Sequence, residues 1–171
     1  NYQGLIYLSC DKNKKGKLTL NKDLIEENFA DFDTLVADES QKIKSWNSLQ
    51  FKATSRIASM CRNRYAMTGT PFGRDPQDLW SQFYAIDRGE TLGPTLTLFR
   101  DCFFHSKKNY WGGYEYKLDK KMEPTLHRFL KHKSIRYSDR ECLDLPDQVY
   151  HRVELGFPKD NRDFYNDLIE Q

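Results

Sequence analysis

Apolar positions along the chain follow two rhythms. Short continuous runs, "GLIYL" at residues 4–8, "TLVA" ending at Ala37 and "RYAM" ending at Met67, read as buried strands. Longer stretches carry apolar residues three or four apart and read as helices. Leu24, Ile25 and Phe29 follow Asn21, a residue suited to capping a helix. Leu49, Ala53, Ile57, Met60 and Cys61 make a second helical face. Asp75 before Pro76 starts a third, because a capping side chain precedes a proline at the first helical position. Leu79, Trp80, Phe83 and Ile86 form its buried stripe, so Trp80 is assigned to the core. Further helices are expected near 95–104 and 123–132, separated by "NYWGGYEY", a turn flanked by aromatics. Short strands are expected at 134–137 and 149–155, and a last helix within 159–171 carries Phe164, Tyr165, Leu168 and Ile169.

Strand, helix, strand, helix alternation implies an α/β fold with a parallel sheet. The apolar succession Leu35, Val36, Ala37 predicts a strand covered on both faces. In such sheets functional groups gather beyond the carboxyl ends of the strands. Asp38 and Glu39 directly follow one strand, and Thr68, Gly69 and Thr70 follow another, which places both groups along one sheet edge.

Composition narrows the class. The chain has 171 residues, 38% hydrophobic and 30% charged, with a net charge of +2. No apolar run is long enough to span a membrane, so no membrane association is expected. The near-neutral total leaves room for a local basic face. Cys10, Cys61, Cys102 and Cys142 are scattered without a C-x-x-C, and no signal peptide precedes them, so reduced thiols in a cytoplasmic setting are expected. Cys102 and His105 have ligand-like spacing but lack a matching second pair for zinc. Residues 11–17 form a charged loop; Asp11, Asn13 and Gly16 have calcium-loop spacing, but Lys15 and Lys22 fall where ligands are required.

Two adjacent carboxylates past a strand suit nucleotide hydrolysis. One can hold a magnesium ion bridging the phosphates, and the other can orient the attacking water. "LVADESQKIK" and, thirty positions on, "AMTGTPFGRDPQDLWSQFYAID" then resemble motifs II and III of the Swi/Snf-type branch of superfamily-two helicase-like ATPases, the double-stranded DNA translocases. "NYQGL" is similar to their motif Ib, "SIRYSDRECLDLPDQVYHRVEL" to the segment that ends the first motor lobe, and "FYNDLIEQ" to the helix leading toward the second. The flavour is that of compact bacterial and phage members. The resemblance implies a partial RecA-like lobe with flanking helices, and a helical or protruding insertion at 95–140. It implies that Asp38 coordinates magnesium with ATP, that Glu39 activates water, and that Gln41, standing where His is common, hydrogen-bonds toward motif III or the phosphate. Thr68, Gly69 and Thr70 would couple nucleotide state to double-stranded DNA, with Gly69 allowing a tight backbone and Asn1 and Tyr2 beside the DNA.

A phosphate loop requires G-x-x-x-x-G-K-[ST], and no such string occurs in these residues. The expectation is therefore a piece of a longer protein. That parent would supply the first half of lobe one and a second lobe, and the chain alone would not hydrolyse ATP. The setting implied is a bacterial or phage-infected cytoplasm, at the nucleoid. Two other readings are a motor subunit of a restriction-modification system and a degenerate lobe that binds DNA or protein without catalysis.

Overall fold

The computed structural model describes residues 1–73, 75–137, 149–153, 156, 161–162, 165–166 and 169. The chain divides into two compact units, Asn1–Ile135 and Arg136–Gln171. In the second unit residues 161, 162, 165, 166 and 169 are helical, in line with the helix expected across 159–171. Phe164 and Leu168, assigned to its apolar face, lie outside the described residues. The strands expected at 134–137 and 149–155 do not form: residues 134–137 and 149–153 are irregular, and 154–155 lie outside the described residues. β-Branched and aromatic content favours a strand only where a neighbour accepts its hydrogen bonds.

The first unit opens with helix α1 (Tyr2–Ser9), where the apolar run predicted a strand. The Asn1 side chain accepts from the Gly4 amide at 2.8 Å, which caps the helix start. Leu5 packs against a small core of Ile25, Ile57 and Cys61. A five-residue apolar run has too little periodicity to separate helix from strand. The charged stretch after it is also ordered: β1 (Cys10–Lys12) pairs antiparallel with β2 (Leu18–Leu20). Asn13 Oδ1 accepts from the amides of Lys15 and Lys17, both at 3.0 Å, and Gly16 takes a φ of 73°. Asn13 and Gly16 thus serve a turn.

Helix α2 (Lys22–Phe29) is capped by Asn21, whose side chain accepts from Asp23 and Leu24, as its sequence predicts. Strand β3 (Thr34–Ala37), helix α3 (Leu49–Ala58) and strand β4 (Asn63–Ala66) then form a strand–helix–strand unit. The two strands are parallel, with Ala37 opposite Ala66. Leu35 packs into the same small core as Ile57 of α3. The other face of the pair is open, with Val36 52% and Tyr65 57% exposed opposite each other. The continuous apolar run thus misreports β3 as covered on both faces. Among the described residues the sheet has only two strands, and one face is left without a layer over it.

Helix α4 (Asp78–Asp87) follows, two residues later than Asp75-Pro76 predicted: Gln77 is its cap, and the Asp75 carboxylate accepts from the Gln77 amide at 3.0 Å in the turn before it. Its stripe and α3 meet the larger core, where Phe51, Trp80 and Tyr84 rings cluster. Trp80 is buried there and donates its indole N–H to the Gly93 carbonyl at 3.0 Å. The loop after α4 turns tightly at Gly89, with φ of 93°; a Cβ there would stand 2.7 Å from the Gly93 oxygen. Helices α5 (Leu96–Phe103) and α6 (Glu123–Lys133) occupy the expected places. The aromatic stretch between them is a hairpin of β5 (Phe104–Lys108) and β6 (Tyr114–Leu118). Phe99, Phe103 and Phe104 fasten that hairpin and α5 to the core.

Candidate active site

Register determines what the two strand ends bring together. Because Ala37 and Ala66 stand opposite, the backbone continues as a ladder: Met67 N donates to Ala37 O and Ser40 N to Met67 O, both at 2.9 Å. The loop carrying Asp38 and Glu39 is thereby tied to the loop carrying Thr68, Gly69 and Thr70, along one carboxyl-terminal edge. The shared edge predicted from sequence is present.

Asp38 and Glu39 are both exposed at that edge. Asp38 Oδ1 accepts from the Glu39 amide at 2.9 Å. Glu39 has a left-handed backbone, φ 51° and ψ 52°, and caps a 3₁₀ turn (Ser40–Ile43). That conformation costs a residue with a Cβ roughly 1–2 kcal/mol, and such cost concentrates at functional loops. Here it turns the chain sharply out of β3. Among the described residues no Lys or Arg forms an ion pair with either carboxylate. Each carboxylate has one oxygen already accepting an internal hydrogen bond, and among the described residues no group of three or more metal-ligating side chains gathers.

Gln41 bridges the two loops. Its Nε2 donates to Glu39 Oε2 at 2.6 Å, and its Oε1 accepts from the Thr68 hydroxyl at 2.6 Å. The Thr68 oxygen in turn accepts from the Thr70 amide at 3.1 Å. A continuous path therefore runs from the second acid to the Thr-Gly-Thr loop. Gly69 is different from expectation. Its φ lies outside the left-handed region and a Cβ would meet nothing within 4 Å, so no tight backbone requires glycine here.

A second, buried tie lies beneath the first. Ser40 Oγ donates to Gln82 Oε1 at 2.8 Å. Gln82 Nε2 donates to the Pro71 carbonyl and, at 3.0 Å, to the Asp78 carbonyl. One amide on α4 thus holds both loops. Sequence reading missed Gln82; the available signal was a polar residue three positions after Leu79, inside an otherwise apolar stripe. Lys44 reaches the same helix through an ion pair with Asp78 at 3.2 Å.

Asn1 and Tyr2, expected beside DNA, are engaged within the fold. Asn1 caps α1. The half-buried Tyr2 donates its hydroxyl to the Asp38 carbonyl at 2.8 Å. Its burial, together with the nearby Asp38 and Glu39 charges, raises the phenol above its ordinary value. Tyr2 therefore steadies the backbone of the first acid.

The profile for the SNF2-related domain matches residues 13–171. The chain belongs to the SNF2-related domain family. A phage protein, putative protein p41 of Acyrthosiphon pisum secondary endosymbiont phage 1, is 36% identical over 78 residues, 43% of this chain and 17% of that protein. Helicase ssl-1 of Caenorhabditis elegans is 26% identical over 80% of this chain and 6% of its own length. The chromatin-remodeling ATPase INO80 of Lodderomyces elongisporus is 32% identical over 80% of this chain and 8% of its own. This SNF2-related segment therefore spans a small part of each of those relatives. Among solved structures, the Sulfolobus solfataricus SWI2/SNF2 ATPase core in complex with double-stranded DNA superposes with a TM-score of 0.51 at 23% identity, covering 84% of this chain and 29% of that one. The α/β fold with a parallel strand pair is thus that of an SNF2 ATPase core. No helix among the described residues is long and apolar enough to cross a membrane.

Proposed function

We propose that this SNF2-related segment supplies the acid pair and the coupling loop of an ATP-driven motor that moves along double-stranded DNA. One observation carries the reading: the hydrogen-bonded path from Glu39 through Gln41 to Thr68 and Thr70. In a motor, the group that senses the terminal phosphate must communicate with the loop that reports to DNA. Gln41 makes that link with both ends of one amide.

The chemistry follows from placement. Asp38 would hold magnesium, which supplies charge neutralisation at the phosphates when it arrives with the nucleotide. Glu39, turned out of the strand by its left-handed backbone, accepts from Gln41 through one oxygen and can orient a water with the other. Any shift in that carboxylate alters the Gln41 amide, and through it the Thr68 hydroxyl. Tyr2 limits movement of the Asp38 backbone. The phosphate-gripping loop and the second lobe are to be sought elsewhere in the parent chain. The partial coverage of every relative described above supports that view. The phage relative supports a setting in bacteria or infected bacteria.

The test is Glu39→Gln in the full-length protein. Nucleotide binding should persist while DNA-stimulated phosphate release falls roughly 10²–10⁴-fold, the usual contribution of a positioned base. Undiminished turnover would remove Glu39 from the mechanism. A parent protein that binds no nucleotide would favour a degenerate, non-catalytic lobe.

A further inference from the structure

The β5–β6 hairpin ends in two large aromatic side chains that the fold leaves in solvent, Tyr110 at 94% and Trp111 at 88% exposure. Their display is built. Asn109 Oδ1 accepts from the amides of Trp111 at 3.1 Å and Gly113 at 2.8 Å, and Gly112 takes a φ of 81°. The two rings meet edge to face, with centroids 5.4 Å apart and planes at 89°. This pins the turn while leaving ring faces open. Two adjacent exposed rings on an ordered turn form a local apolar patch of the kind contact surfaces use.

Charge identifies the class of partner. Residues 105–121 hold five lysines, Lys107, Lys108, Lys117, Lys120 and Lys121, against two acids, Glu115 and Asp119. That local surplus of three exceeds the +2 of the whole chain. Asp119 is also partly occupied, 3.1 Å from His105. Lys108 pairs with Tyr114 next to the turn and Lys117 with His105 nearer the other end, so the lysines run along the hairpin from an open aromatic tip, a pattern suited to nucleic acid, since cations meet phosphates and rings stack on bases.

The base of the hairpin is anchored to the loop that follows Thr68, Gly69 and Thr70. Arg100 of α5 lies 4.3 Å from the centre of the Tyr116 ring and donates its Nε to Gln77 Oε1 at 2.5 Å. Gln77 is itself bound to Asp75. The tip therefore projects from a base fixed to the motif III side of the lobe.

From the exposed tip, its pinned turn and the lysine surplus, we infer that the hairpin is a second nucleic-acid contact, in which Tyr110 and Trp111 stack on unpaired bases while the flanking lysines hold the backbone. The inference rests on the DNA-motor reading for nucleic acid as the partner; the exposed rings alone point to unpaired bases, and no ATP turnover is needed.

The experiment compares full-length wild type with a Tyr110→Ala, Trp111→Ala double variant, without nucleotide, on a duplex and on the same duplex with a short single-stranded gap containing 2-aminopurine. Wild type should quench the 2-aminopurine on binding. The double variant should lose that quenching and bind gapped DNA at least about fivefold more weakly, the smallest loss expected of even one base–aromatic stack, with duplex affinity and melting temperature unchanged. Trp111→Phe should retain most of the effect. Equal quenching and affinity in wild type and double variant would overturn the hairpin's role while leaving the motor reading intact. A wild type that binds neither DNA would overturn both.

Discussion

The Thr68 hydroxyl donates to Gln41 at 2.6 Å, joining two loops that the sequence separates by 27 positions. The bond is partly buried and both groups have further partners, so it links Glu39 to the Thr70 backbone. Thr68→Val keeps the shape and removes the hydroxyl. Stability should fall by about 1 kcal/mol, the worth of an ordinary hydrogen bond. In the full-length protein DNA should lose much of its power to stimulate phosphate release, while release without DNA changes little. Equal stimulation in the variant, measured by steady-state phosphate release, would show that coupling runs elsewhere.

Gln82 should matter more for folding than its outward chemistry suggests. Gln82→Leu fits an apolar stripe but leaves the buried Ser40 hydroxyl and the Pro71 carbonyl without their partner. An unsatisfied buried polar group costs about 1–3 kcal/mol. Hydrogen exchange should accelerate in both loops together, at residues 38–43 and 67–72, and spare the β5–β6 hairpin. Acceleration in only one loop would contradict the shared tie.

Tyr2 supplies a pH prediction. Its phenol is raised in the folded protein by burial and by the Asp38 and Glu39 charges, so the folded state holds the proton more tightly than the unfolded one. The stabilisation is complete below the ordinary phenol value of about 10 and is lost as pH climbs through the higher folded value. The difference in phenolate absorbance between wild type and Tyr2→Phe should therefore titrate above pH 10. A midpoint at or below 10 would mean that Tyr2 is not seated against the acids. Near neutral pH the phenol is uncharged, and the variant loses only the bond to the Asp38 carbonyl.

The sequence carried the edge of this site well and its underside poorly. Asp38, Glu39 and the Thr-Gly-Thr triplet each follow an apolar strand, and a parallel pair must bring such ends together. Gln41 was legible only through the resemblance to motif II, which implied a hydrogen bond toward motif III or the phosphate; the partner is Thr68. Gln82 was not, since nothing in one chain says which polar residue in a helical stripe will meet a serine 42 positions away. Helix α1 was misread because its five apolar residues fit either state, and Asn1 at its start decides the matter. The open face at Val36 and Tyr65 was misread for the opposite reason: apolar content says what a strand tolerates, not what covers it. Gly69 was credited with a backbone need that its dihedrals do not show.

Gln82 has one more consequence. Because the Gln82 amide braces the acid loop and the threonine loop from below, beside the backbone ladder that also joins them, side chains above can be exchanged while the platform keeps its supports. Effects of replacing Glu39, Gln41 or Thr68 can then be read as chemistry rather than as displacement, and a change at Gln82 should resemble damage to all of them at once. The lobe separates the ruler that spaces its working parts from the parts themselves.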